Sequence, residues 1–203
     1  MKPFSVEAMR RSAVTVLAAI MLAGCASVAA QPPAAQNPNT VQVSQQQGGK
    51  FIVLAGPKRR HGEPYLGIAS TNFDLLRSFI DTRTGEVAHQ LYVQDSYGGP
   101  TRYWNAARLA TGQTLRFLPI TVSEVTCENG CSYAEEFAAA LPEPLLRGSP
   151  QGLAVVFTSR SGNEKTIAVA PDLIAQQLAA VDSARAARPP AAAAPAPAPA
   201  PPR

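Results

Sequence analysis

Turn signals interrupt residues 50–182 at short intervals, and the stretches between them alternate apolar with polar side chains. Runs of four to eight alternating residues bounded by Gly, Pro, Asn or Ser read as half-buried strands, because a strand sends successive side chains to opposite faces. Gly56-Pro57 ends an apolar run at Phe51–Ala55, and Thr82-Arg83-Thr84-Gly85 joins 75–81 to 87–94 as a hairpin. Thr111-Gly112-Gln113 joins 103–110 to a long strand over 114–127, in which Pro119 lacks a ladder donor and implies an edge or a bulge. Residues 131–141 return with Cys131, Tyr133, Phe137 and Leu141 on one face and Glu136 on the other; Glu135 breaks the alternation. Leu153, Val155 and Phe157, then Ile167 and Val169, form the last pair around Ser161-Gly162-Asn163. Residues 72–81 are ambiguous, since Phe73, Leu76, Phe79 and Ile80 would also line one helix face.

Two segments read as helical. Pro142-Glu143-Pro144-Leu145-Leu146 suggests a short turn, and Pro171-Asp172 opens a final helix with Leu173, Ile174, Leu178 and Val181 on one stripe. The expected fold is mainly β: an antiparallel β-sandwich or small barrel of seven or eight strands with a C-terminal helix, forming one domain over 51–182.

The flanks differ in composition. Residues 25–50 combine prolines, consecutive glutamines and Gly48-Gly49 without apolar periodicity, and 183–203 are dominated by Ala and Pro; both read as disordered segments. The formal charge of +4 is misleading, because 50–182 hold 12 basic and 13 acidic residues. A nucleic-acid-binding domain with a cationic face is therefore not expected.

Residues 1–24 begin with Lys2, Arg10 and Arg11 and continue into an apolar run from Ala13 to Ala23, too short to span a bilayer and of the length of an export signal. Leu22-Ala23-Gly24-Cys25 follows, and it resembles the lipobox of bacterial lipoproteins. The resemblance implies cleavage before Cys25, acylation of that cysteine, and attachment to a membrane. With Ala26 next, it implies sorting to the outer membrane, the domain facing the periplasm. The alternative is a soluble periplasmic protein cut after Ala30.

With Cys25 acylated, Cys127 and Cys131 remain for an exported domain, where oxidation pairs them. Glu128-Asn129-Gly130 between them suits a three-residue hairpin loop with Gly130 at the positive-φ position, which predicts a disulfide; a catalytic dithiol has two intervening residues. The segment 127–137 also resembles small uncharacterised proteobacterial lipoproteins, a likeness that brings no activity with it.

No zinc spacing, nucleophile elbow, P-loop or dinucleotide fingerprint occurs, so neither metal nor cofactor is expected. His89 falls on the face of Val87, Leu91 and Val93, as a hydrogen-bonded core residue or as the base of a hydrolase. Asp81, Glu86 and Asp95 could supply a carboxylate pair for such an enzyme. Lys58-Arg59-Arg60-His61 could meet anionic lipid heads, but four positive residues make a small patch and a solvated loop is the simpler account. Tyr92, Tyr97, Tyr103 and Trp104, with Arg102, form either a recognition surface or part of the core. The functional expectation is a lipid-anchored envelope protein whose domain binds an envelope protein or a wall component, with Arg59, Arg60, Arg102, Tyr103 and Trp104 as candidate contacts. The alternative is a periplasmic hydrolase using His89 or the carboxylates.

Overall fold

The computed structural model describes residues 37–128 and 130–187; the leader, Cys25 and 188–203 lie outside them. The first antiparallel sheet runs in the order β1 (Gln42–Gln46), β2 (Phe51–Ala55), β4 (Phe73–Asp81), β5 (Val87–Gly98), β9 (Ser132–Leu141), β8 (Phe117–Thr126), with the two-residue β3 (Arg59–Arg60) beside β4. The second runs β11 (Glu164–Val169), β10 (Leu153–Ser159), β6 (Trp104–Leu109), β7 (Thr114–Leu115). Helices α1 (Glu143–Arg147) and α2 (Pro171–Ala186) complete the fold, which is a β-sandwich with a C-terminal helix, as the alternation predicts.

Eleven strands replace the expected seven or eight among the described residues. One reason is the stretch 114–127, which is not one strand. β7 pairs with β6 in the second sheet, Arg116 turns the corner, and β8 pairs with β9 in the first. Pro119 lies on this edge strand at a register shift, where a missing N–H costs no ladder bond. Residues 72–81 take the strand form, paired on both sides by β2 and β5.

Both boundaries move outward. Residues 42–46, expected as part of a disordered tether, pair with β2 from Gln42↔Ala55 to Gln46↔Phe51. The intervening turn takes Gln47, Gly48 and Gly49 through positive φ. At the other end α2 continues through Ala186, four residues beyond the expected limit of the domain.

The core is where the two inner faces meet. Leu91, Val93, Phe137 and Ala139 pack against Trp104, Ala107, Val155 and Phe157. Phe137 is the hub, with Phe157 edge-on at 4.9 Å and Trp104 tilted at 5.3 Å between ring centroids. Leu173, Ile174 and Leu178 of α2 join this core, while Val181 packs on Leu54 and Ile80. Among the described residues no helix is long and apolar enough to cross a membrane.

Candidate functional site

The inner face is apolar in the middle and polar at both ends. At the end marked by Gly98 of β5, Asp95 and Glu135 point inward and are almost fully buried. The Glu135 carboxylate accepts from Tyr97 Oη and from the backbone N–H groups of Arg102 (3.0 Å), Tyr103 (3.0 Å) and Trp104 (3.1 Å). A carboxylate here ties the chain entering β6 to the first sheet, so the break in the β9 alternation has a structural cause. Asp95 accepts from Lys165 Nζ at 2.6 Å, Arg102 at 2.9 Å and Trp104 Nε1 at 3.1 Å. Lys165, which sequence reasoning did not single out, thus bridges the two sheets.

His61 joins this end and is not part of a cationic patch. Its Nδ1 faces Lys165 Nζ at 3.1 Å and its Nε2 faces Gln94 O at 3.0 Å. An ammonium can only donate, so Nδ1 accepts and Nε2 donates, which makes the ring neutral. Burial, then Lys165, lowers its pKa.

At the opposite end His89 is the hydrogen-bonded core residue. Gln177 Nε2 donates to Ser78 Oγ (2.8 Å), which stands 2.8 Å from His89 Nδ1. Ser78 Oγ therefore links the imidazole to Gln177, and through them β4 and β5 to α2. Nε2 is buried without a hydrogen bond, 3.5 Å from Glu143 Oε2. Burial lowers the His89 pKa, opposed by Glu143, whose own pKa is held down at about 2 chiefly by Arg185, against some desolvation and with help from Arg147. A hollow of about 350 Å³ lies alongside, walled by His89, Gln113, Arg116 and Glu143. The Ser–His–carboxylate order superficially suits a hydrolase, but Ser78 has no exposed surface and so cannot reach a substrate.

Of the other predicted carboxylates, Asp81 and Glu86 lie together at the hairpin end, whereas Asp95 is remote from both. Asp81 lies at the hairpin end and Asp95 nine strand positions away, roughly 30 Å at ~3.3 Å per residue. Asp81 accepts from the N–H groups of Arg83 and Thr84, which cap the turn and lower its pKa. Glu86 is beside it across a shallow hollow, not beside Asp95.

The predicted aromatic group is split. Tyr92 lies on the outer face under the Arg77 guanidinium, and Arg102 covers the Tyr97 ring at 3.9 Å. Trp104 is buried in the core, whereas Tyr103 is 52% exposed with φ 54°. Such a φ is strained for a side chain with a Cβ, and here it turns the ring outward.

Tyr103 forms one wall of an open hollow of about 400 Å³ between β6 and β8, with Asn105, Phe117, Pro119, Val122 and Arg160, and Trp104 at its base. A second hollow of about 140 Å³ shares Trp104, Phe117, Pro119 and Val122 with it. Ile120, Val122 and Val125 are exposed along β8. Arg160 lies over the Tyr103 ring at 5.9 Å, and no carboxylate neutralises it among the described residues. Of the predicted contacts, Tyr103 and Trp104 are brought together here; Arg102 is committed to Asp95, and Arg59 and Arg60 lie on β3. Arg160 and the β8 residues were not predicted, because nothing in a strand sequence says that its facing sheet stops short.

Beyond β8, Cys127 and Cys131 lie at disulfide distance with Cα atoms 3.9 Å apart, just past the paired Thr126 and Ser132. Gly130 has φ 99°, the positive value expected of it. Among the described residues no cluster of His, Cys, Asp and Glu could hold a metal ion. No family model matches the chain, and neither a curated protein nor a solved structure matches it.

Proposed function

We propose that this is a lipid-anchored protein of the cell envelope, held to the outer membrane through acylated Cys25, with its β domain in the periplasm as a binding module rather than a catalyst. The observation that supports binding is the hollow beside Tyr103 and Trp104. It is largely apolar and open, includes exposed Val122, adjoins exposed Ile120 in the smaller hollow, and is bordered by the unneutralised Arg160. Exposed apolar surface rimmed by polar groups is the usual form of a protein contact. Its best occupant is an envelope protein that inserts an apolar side chain against Trp104 and sets a carboxylate on Arg160. The rival hydrolase reading has less support, since His89 is buried with Nδ1 engaged by Ser78 and Asp95 lies far from Asp81 and Glu86.

The test is site-specific photocrosslinking in intact cells from positions 103 and 122. A discrete adduct that disappears in an Arg160→Glu background is expected. Absence of any reproducible adduct from both positions would overturn the reading.

A further inference from the structure

Leu66 is more exposed than any other large apolar side chain described, at 65%, and Ile68 follows two residues on at 47%. They project from a loop that is tightly held. His61 N–H donates to Asn72 O, Asn72 Nδ2 to Glu63 O, Tyr65 N–H to Thr71 Oγ1, and Thr71 Oγ1 to Ile68 O. A loop with no use for an exposed leucine would relax it against the protein; this one fixes it outward at φ 51°. Two neighbouring apolar side chains held toward water by an ordered loop, one of them on a left-handed backbone, form a surface suited to a contact with something else.

The surroundings indicate what that is. Lys58, Arg59 and Arg60 lead into the loop and are exposed, against one loop acid, Glu63. The loop rests on the Gly98 end of β5, where a Cβ on Gly98 would stand 3.2 Å from Tyr65 Oη. The chain from Cys25 enters nearby: Gln42 pairs with Ala55, Ala55 with Arg77, and Arg59 with Asp74, three positions further along β4, or about 10 Å. The twelve residues from Cys25 to Asn37 can span at most about 43 Å.

We propose that β3 and the loop 61–72 seat edge-on on an anionic bilayer, with Leu66 and Ile68 entering the acyl boundary. Arg59 and Arg60, which point to opposite sides of β3, meet headgroup phosphates on either side of that edge, while Lys58 caps the Phe73 ring. Apolar insertion flanked by cations is how a peripheral surface combines burial with attraction to anionic lipid. The proposal rests on the anchored reading only for what delivers the domain to a membrane.

The test uses the full chain with Cys25→Ala, so that no acyl group contributes and any effect of the leader is common to all variants. A Leu66→Trp reporter is mixed with phosphatidylcholine vesicles, with and without phosphatidylglycerol, carrying brominated acyl chains. We expect quenching at position 66 when phosphatidylglycerol is present, beyond that of the parent chain with Trp104 alone. Arg59→Glu with Arg60→Glu removes that increment, and Leu66→Asp weakens sedimentation with the vesicles by about tenfold. No quenching at 66, or quenching indifferent to both phosphatidylglycerol and the arginines, overturns the proposal. Either failure leaves acylation of Cys25 standing, because that is read separately by mass spectrometry of the parent chain. All three substituted side chains are exposed, and an unchanged melting temperature confirms that the variants fold.

Discussion

Asp95 and Glu135 stand directly opposite each other on β5 and β9, both buried, and each is compensated by different partners. Like charges in facing positions of a ladder repel. Here the repulsion is offset because Glu135 faces Tyr97 and three backbone donors while Asp95 faces Lys165, Arg102 and the Trp104 indole. The pair thus clamps the first turn of β6 and a strand of the opposite sheet onto one spot.

Removing Lys165 leaves Asp95 buried and under-compensated. Lys165→Met should lower unfolding free energy by about 3 kcal/mol, the usual scale for breaking a buried ion pair from one side. Adding Asp95→Asn should recover most of that loss. Urea melts measure both, and a double variant no more stable than the single one contradicts the assignment.

His61 and His89 both have lowered pKa values, with burial the leading cause in each. Each ring is neutral in the fold and protonates more readily in the unfolded chain. Their contribution is therefore complete above the ordinary histidine value of 6.5 and is lost as pH falls from there through the folded pKa. Asp74 works the other way: burial, against Arg59 and Lys165, raises it to about 6, so the fold gains from its protonation below that point. Melting temperature should fall as pH drops below about 7, and the fall should be softened below about 6 where Asp74 takes up its proton in the fold. His89→Gln should make the fall shallower, and an unchanged slope would count against a neutral His89.

Much of the fold is legible in the sequence because the inner strands have one apolar face. β4, β5, β9, β10 and β11 each declare themselves through Leu76 and Ile80, Leu91 and Val93, Phe137 and Leu141, Val155 and Phe157, Ile167 and Val169. β1 does not, since Gln42, Ser44, Gln45 and Gln46 bury little and its pairing comes from the backbone. Glu135 gave a usable signal by standing where an apolar residue belonged. Leu66 gave none, because a leucine in a loop looks like any other until its exposure is known.

Gly152 has φ 87°, and a Cβ there would lie 2.5 Å from Val169 O and 3.2 Å from Pro171 Cδ, where β10 begins and α2 starts. Gly152→Ala should cost at least about 2 kcal/mol, combining a left-handed backbone with a clash against main chain. Gly112→Ala, at φ 99° with nothing within 4 Å, should cost clearly less. Equal losses in thermal melts would mean that the clash is relieved by a backbone shift.

Cys127 and Cys131 should be joined in the native protein isolated without reductant. Non-reducing peptide mapping is expected to find the two in one linked species, and two free thiols would end the idea. Because the loop they close is short and outside the core, reduction should cost less than the ~2–4 kcal/mol common for disulfides.

A single residue, Arg116, carries the chain from β7 in one sheet to β8 in the other, and its carbonyl accepts from Ala140 N–H at 2.9 Å. The corner works as a rivet. Neither sheet can slide along the other without pulling a strand from its neighbour, so shear between the layers is transmitted as tension in the backbone. The corner thus ties the β8 edge that borders the hollow beside Trp104 directly to the β6–β7 pair of the second sheet.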